Sequence, residues 1–322
     1  MLGSLLASGT SNATLPVAAH PVPDEPFSIL TYNVHGLPWP IVEDRSAELT
    51  RIGQRLALMR SAGEQPSVVV LQEAFTSQAA RIGALGGYRF AAIGPSAGER
   101  DPNGEAAQPG ARLVKGETEG KWEGSGLRVF SDFPIVSVKR VAYTGVCAGF
   151  DCLANKGALL VTLDVPGQGR VQVAATHLNS RAASGVPDAR SLFAYREQVD
   201  ILDHFIRREA DPALPLIVAG DFNVGDAEGR RPALLARAAG WGAAEGSLGN
   251  EALRACIAAQ RVDRADEAAF IIRRSRDFQF FYSGSTVRLE PLQATIPFGR
   301  EADGSSLSDH YGFVVRYRLT AA

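Results

Sequence analysis

Apolar runs of strand length, each bordered by residues able to ligate a cation or carry a proton, constrain this chain more than any other feature. FSILTYNV (27–34) ends at Asn33, SVVVLQEAF (67–75) holds Glu73, and RVQVAATHL (170–178) ends at His177 with Asn179 next. PLIVAGDFNV (215–224) carries Asp221 and Asn223, and Asp309-His310 precede YGFVVRYRL (311–319). Such apolar runs read as buried strands. Segments of helical period lie between them. One is 46–62, with Ser46 as predicted N-cap, Leu49, Ile52, Leu56 and Met59 on one face and Gly63 as the stop. Another is 188–209, with Leu192, Val199, Leu202, Phe205 and Ile206 inward. Residues 125–143 read as two strands joined at Phe133-Pro134, and 158–165 and 170–178 flank a PGQG turn. Pro232 opens a short helix, DFQFFYSG (277–284) is another strand, and the Gly- and Pro-rich residues 94–124 form the longest loop region. The pattern predicts a single α/β domain over 26–320 with helices covering sheets.

Composition trims the function classes. The 322 residues carry a net charge of -2, which argues against binding nucleic acid through a broad basic surface. Three cysteines do not make a disulfide scaffold. Cys147 and Cys152 are spaced for a small disulfide loop, which chain entropy would credit with about 2 kcal/mol, or they are two unpaired thiols. Cys256, in an apparent helix, is expected to be a buried apolar residue. No stretch reaches the roughly 20 apolar residues of a spanning helix. The first basic residue is Arg45, so residues 1–25 lack the positive start of a secretory signal and are read as a flexible leader. The small-residue leader and the cysteine pair favour a secreted or periplasmic location over a cytoplasmic one. No obligate protein partner is evident.

The bordering residues share one chemistry. Glu73 and Asn33 offer hard oxygen ligands suited to Mg²⁺. Asp221 and Asn223, at i and i+2, point to one side of an extended segment, where they would orient a nucleophile and bind a phosphoryl oxygen. Taken alone, Asp221 would equally make an Asx-turn. His310 exchanges protons near neutral pH and needs a carboxylate to fix its tautomer, for which Asp277 is the candidate. His177 and Asn179 would donate hydrogen bonds to a pentacovalent phosphate. The sum is metal-assisted attack of water on a phosphoester.

The ordered series TYNVHGL, LQEAF, SGLRVFSDFPI, THLNS, GDFN, RDFQFF and SDH resembles the endonuclease/exonuclease/phosphatase superfamily, from about Phe27 to Tyr317. The resemblance implies a DNase I-like, four-layer α/β sandwich of two packed, mainly antiparallel or mixed β-sheets flanked by helices. It implies that Asn33 and Glu73 bind the divalent metal, usually Mg²⁺ with Mn²⁺ or another divalent cation as substitute, and that Asp309 supports it. It makes His310 the general base, supported by Asp277, sets Asp221 and Asn223 against the attacked phosphate, and has His177 hydrogen-bond it. The Asp277 strand departs from the usual pattern, reading DFQFF where Asp-Tyr or Asp-His, an aliphatic residue and Phe are usual.

Within the superfamily, YNVHGLP, KWEGSGLRVFSDFPI and CLANKGALLV resemble the sphingomyelinase branch. That implies a Mg²⁺-dependent phosphodiesterase acting on sphingomyelin or a related phospholipid, with phosphocholine released and a membrane surface as partner. Trp39 and Phe150 either cover the core or stand at the rim for a membrane interface. The alternatives are a DNA or RNA endonuclease, with Arg207-Arg208, Arg230-Arg231 and Arg273-Arg274-Arg276 as its cationic track, and an inositol phosphate phosphatase, for which Lys121 and Lys156 are the lysine candidates. A non-enzymatic module would be expected to lose one of Asn33, Glu73, Asp221, Asn223, Asp309 or His310, and all are present.

Overall fold

The strands form in the order β1 (Phe27–Gly36), β2 (Val68–Ala74), β3 (Phe90–Ile93), β4 (Arg128–Ser131), β5 (Ile135–Ala142), β6 (Gly157–Val165), β7 (Gly169–His177), β8 (Leu216–Asp221), β9 (Asp277–Tyr282), β10 (Val287–Phe298) and β11 (Gly312–Ala321). The helices are α1 (Ser46–Ser61), α2 (Ser77–Leu85), α3 (Asp188–Glu209), α4 (Arg230–Ala238), α5 (Glu251–Ala258) and α6 (Ala265–Arg274). This computed structural model describes residues 27–100, 115–243 and 246–322. The predicted leader at 1–25 and part of the 94–124 loop lie outside the described residues.

The strands divide into two mixed sheets. One has six strands in the order β10-β11-β1-β2-β4-β3, the other five in the order β5-β6-β7-β8-β9. Strand β1 is parallel to β2 and β7 is parallel to β8, whereas the remaining neighbours are antiparallel. Period-two alternation drives the layering. Ile29, Val68 and Val70 of the first sheet meet Val161, Val173 and Ile217 of the second in one core between the sheets. The opposite faces are covered by helices. Leu30, Val69 and Leu71 pack on Leu49, Ile52 and Ile82 of α1 and α2. Leu160 and Val218 pack on Val199, Leu202, Phe205 and Ile206 of α3. Each such side chain taken fully out of water contributes about 1.5–3 kcal/mol before entropy is subtracted. The result is the four-layer, DNase I-like α/β sandwich.

Three local expectations change. Arg45, not Ser46, is the N-cap of α1, and Asp44 accepts from both the backbone N and the Oγ of Ser46. The two strands joined at Phe133-Pro134 enter different sheets, since β4 pairs with β2 and β3 while β5 pairs with β6. Strand β10, α2 and β3 form where only loop or no element was expected.

Strand direction then gathers one edge. The parallel pairs bring the C-terminal ends of β1 and β2 together in one sheet and those of β7 and β8 together in the other. Asn33 pairs in register with Gln72, and His177 with Asp221. Strand β9 runs antiparallel to β8, so it begins at that edge, with Asp277 opposite Asp221. Strand β11 runs antiparallel to β1, so His310, just before Gly312, arrives there too.

Candidate active site

The strand ends depart from ordinary β geometry where they meet. His35, Glu73 and Asn223 all have left-handed backbone, at φ 51, 54 and 48. Such conformations in non-glycine residues cost energy and persist where surrounding structure over-determines them. Gly36 is needed beside them, because a Cβ there would lie 2.8 Å from the Glu73 carbonyl oxygen.

Asn33 is fully buried and links both sheets. Its Nδ2 donates to Glu73 Oε1 at 2.9 Å and lies 3.1 Å from Asp221 Oδ2, while its Oδ1 accepts from the His35 backbone N at 3.0 Å. Burial pushes the Glu73 carboxyl up to about 7. Asp221 is also buried, yet His310, His177 and the Asn33 and Asn223 hydrogen bonds outweigh that burial and hold it down at about 2.

His310 is buried with its Nδ1 2.7 Å from Asp277 Oδ2. Its Nε2 faces Asp221 Oδ2 at 3.7 Å and Asp309 Oδ2 at 3.9 Å. Burial opposes its charge, but Asp277 and Asp221 overcome that and push it up to about 9. Asp277 itself is raised by burial against the pull of His310. Asp309 sits outward, its side chain 51% exposed, with Oδ1 3.7 Å from His35 Nδ1.

His177 behaves in the opposite sense. Its Nε2 lies 3.2 Å from Lys156 Nζ, 3.6 Å from Asp221 Oδ2 and 3.9 Å from Glu73 Oε1. Burial first, and Lys156 second, push it down to about 3, so the ring is neutral. An ammonium cannot accept a hydrogen bond, so Nε2 accepts from Lys156. The ring hydrogen of His177 therefore sits on Nδ1, and its Nε2, which faces the carboxylate cluster, is an acceptor. Lys156 is itself buried, donating also to Asp151 Oδ2 at 3.0 Å and to the Leu178 carbonyl at 3.0 Å.

Two further expectations are corrected. Asn223 is not in an extended segment with Asp221. Its backbone N donates to Asp221 Oδ1 at 2.9 Å, the alternative Asx-turn, and its Nδ2 donates to the Leu178 carbonyl at 3.0 Å. Asn179 is fully buried and braces loops. Its Oδ1 accepts from Ala148 N at 2.9 Å and its Nδ2 donates to the Ser180 carbonyl at 2.7 Å.

Residues passed over or underweighted in the sequence support the site. From sequence alone, Lys156 stands out only as a lysine candidate for an inositol phosphate phosphatase. Its signal is a lysine entering the buried run ALLV, with Asp151 five positions earlier. The Asp151 loop is closed by a Cys147–Cys152 disulfide, which resolves the open alternative. Arg230 is fully buried, stacks on Tyr195, and donates to the carbonyls of Asn179 at 2.6 Å and Asn223 at 2.8 Å. It therefore ties the loops after β7 and β8 together and is not part of a surface cationic track.

The residues fit a divalent cation. Ligand atoms of Glu73, His177 and Asp221 lie within 4.8 Å of one another, as do those of Asp221, Asp277 and His310. A carboxylate as buried as Glu73 gains from a hard cation beside it. Asp309 belongs to neither grouping.

A metal-competent carboxylate cluster beside a carboxylate–imidazole pair, on the edge of a four-layer α/β sandwich, defines a phosphoesterase class. The chain belongs to the Endonuclease/Exonuclease/phosphatase family, whose model matches residues 30–310. It is a phosphoester hydrolase of that family, with side chains able to hold a metal ion. None of the curated proteins matches the sequence. Among solved structures, the chain is similar to sphingomyelinase C from Streptomyces griseocarneus, at 22% identity and a TM-score of 0.61 over 90% of this chain and 99% of that one. It is similar to a beta toxin from Staphylococcus aureus with bound magnesium ions, at 17% identity and 0.58 over 90% and 99%. It is also similar to D. rerio TDP2 complexed with a single-strand DNA product, at 16% identity and 0.55 over 92% and 100%. These likenesses establish the shared fold.

Proposed function

We propose that the enzyme hydrolyses sphingomyelin or a related phospholipid at a membrane surface, releasing phosphocholine, with Mg²⁺ as its metal. The observation that carries this reading is the loop continuing from β1. Trp39 is 83% exposed and Ile41 56% exposed, only a few residues beyond Asn33 and His35. An exposed Trp on an apolar loop beside the site suits insertion among lipid headgroups. Phe150, exposed on the disulfide loop, adds to that surface. The similarity to a sphingomyelinase and to a magnesium-bound toxin supports the same choice.

Glu73 and Asp221 would hold the cation, with Asp309 further out, and Asn33 would join them once its amide turns, since its Nδ2 rather than its Oδ1 now faces the two carboxylates. When bound, the cation supplies charge neutralisation at the phosphoryl oxygens. His310, in its neutral form, would take the proton of the attacking water at Nε2, while Asp277 accepts from the Nδ1–H and fixes the tautomer. The negative charge that otherwise holds the ring protonated would be offset by a cation beside Asp221. Lys156, its three donors committed to Asp151, His177 and the Leu178 carbonyl, adds fixed positive charge near the phosphate and braces the His177 ring.

The rival substrates find less support in the side chains. Of the candidate nuclease track, Arg230 is buried and Arg231 is bonded to Ser275 Oγ. For an inositol phosphatase, Lys156 is already committed to Asp151, Leu178 and His177. The disulfide suits an oxidising compartment, and we place the enzyme outside the cytoplasm on that ground.

The test sets purified protein with Mg²⁺ against sphingomyelin liposomes, supercoiled plasmid and soluble inositol phosphates. Cleavage of the liposomes alone is expected, with Trp39→Ala losing at least tenfold on bilayers and little on detergent micelles. Preferential plasmid nicking, or bilayer activity unchanged in Trp39→Ala, overturns the lipid reading.

A further inference from the structure

Strand β9 is the outer strand of its sheet, so one side of its backbone lacks a strand partner. The residue whose carboxylate must be held to a few tenths of an ångström, Asp277, is the first residue of that edge. Edge strands are the least constrained members of a sheet. Something other than a neighbouring strand must hold Asp277 in place.

Asn250 does so in the described structure. It is 1% exposed and has left-handed backbone, φ 60 and ψ 47, just before α5. Its side chain makes none of the usual capping bonds to that helix. Nδ2 instead donates to the Asp277 carbonyl at 2.9 Å, and Oδ1 accepts from the Gln279 backbone N at 3.0 Å. Residues two apart on a strand present their backbone groups to the same side. The amide thus takes the place of a missing strand at Asp277 and Gln279. Gln279 carries the restraint onward. Its Nε2 donates to Thr31 Oγ1 at 2.9 Å and to the Ile29 carbonyl at 3.1 Å, in β1 of the opposite sheet. The start of β9 is thereby referenced to the strand that carries Asn33.

We propose that Asn250 is a positioning residue for the reaction, acting through Asp277 to set the His310 ring. The inference rests on the phosphodiesterase reading of the Asp277–His310 pair. A displacement near 1 Å at a catalytic group costs on the order of a hundredfold in rate, and a merely loosened edge costs less.

The test compares Asn250→Gly, Asn250→Asp, Asp277→Asn and the Asn250→Gly/Asp277→Asn double variant. Glycine tolerates left-handed backbone, so Asn250→Gly removes the amide without straining the chain. Its kcat is expected to fall 10- to 100-fold, with KM and Mg²⁺ affinity by calorimetry within about twofold of wild type. Asn250→Asp keeps the acceptor for Gln279 but sets a carboxylate oxygen against the Asp277 carbonyl, and is expected to lose at least as much kcat as Asn250→Gly. In the Asp277→Asn background, Asn250→Gly should cost less than threefold more, because residues acting as a unit are non-additive. An unchanged kcat in folded Asn250→Gly, or an equal loss with and without Asp277, overturns the positioning role. Full activity in Asp277→Asn alone would instead overturn the reading of the pair. Circular dichroism and the Tm verify folding, and Asn250→Asp carries the comparison should Asn250→Gly not fold.

Discussion

Asp277 Oδ2 lies 2.7 Å from His310 Nδ1, and that contact joins the outer strand of the five-stranded sheet to the loop entering the six-stranded one. The proton-transfer pair thus exists only when the two sheets are packed. Its consequences are measurable in rate and in stability.

Removing the acceptor should damage chemistry more than binding. Asp277→Asn leaves an amide where a buried carboxylate held the imidazole, so the charged ring loses its partner and the tautomer is no longer fixed. The expected loss is about 10²- to 10⁴-fold in kcat, with KM little changed. Steady-state kinetics on the preferred substrate measure it. A loss confined to KM would contradict the assigned role.

The same pair makes stability depend on pH. His310 is raised from an ordinary 6.5 to about 9 in the folded chain. A raised imidazole contributes stability that is fully present below the unfolded value and is lost as pH climbs through the folded one. In EDTA, His310→Gln should therefore be most destabilised, relative to wild type, at pH 6 and below. The deficit should shrink between pH 6.5 and 9. Urea melts across that range test it, and a constant deficit would refute the linkage.

Glu73 has the opposite consequence. Its carboxyl is raised from 4.5 to about 7 by burial, so ionising it costs on the order of 3 kcal/mol in the metal-free protein at about 1.4 kcal/mol per unit. That cost is absent below pH 4.5 and complete above pH 7. Glu73→Gln should be more stable than wild type at pH 8 in EDTA, with the advantage vanishing near pH 4.5. Mg²⁺ should raise the Tm of wild type and leave the variant unmoved, while activity in the variant falls by several powers of ten. Thermal melts with and without Mg²⁺ decide the matter.

The disulfide should matter beyond its own loop. Cys147 and Cys152 close a short segment that contains Asp151, and Asp151 holds Lys156 and the Ser180 backbone N. Cys147→Ser/Cys152→Ser should lose about 2 kcal/mol, roughly 4 °C in Tm for a chain of this size. A fall in kcat is expected alongside, because the Lys156 ammonium loses its anchor. A variant with lowered Tm but full kcat would separate the loop from catalysis.

Much of the scaffold was legible because its causes are local. The buried runs of β1, β2, β7 and β8 and the period of α3 stand in the sequence as the structure has them. Strand β10 was hidden for a physical reason. It is an edge strand carrying Pro291 and Pro297, with register shifts between Pro291 and Gln293 and again between Thr295 and Phe298. Neither regular alternation nor a continuous apolar run survives there. Phe133-Pro134 could not reveal that β4 and β5 part company, since a turn within a sheet and a crossing between sheets share the same local signals.

By itself, the sequence determined which chemistries border which strands, because side-chain type and period-two alternation are written residue by residue. Only the tertiary structure decided which of them meet and in what protonation state. Asn33 and Asp221 stand 188 positions apart and yet make contact at 3.1 Å, because strand directions and sheet packing bring those ends to one edge. Burial in that edge then divides two chemically identical rings. His177, beside Lys156, is driven neutral, while His310, beside Asp277 and Asp221, is driven to hold its proton. Desolvation and neighbouring charge depend on the folded surroundings, so no residue's own identity carries them.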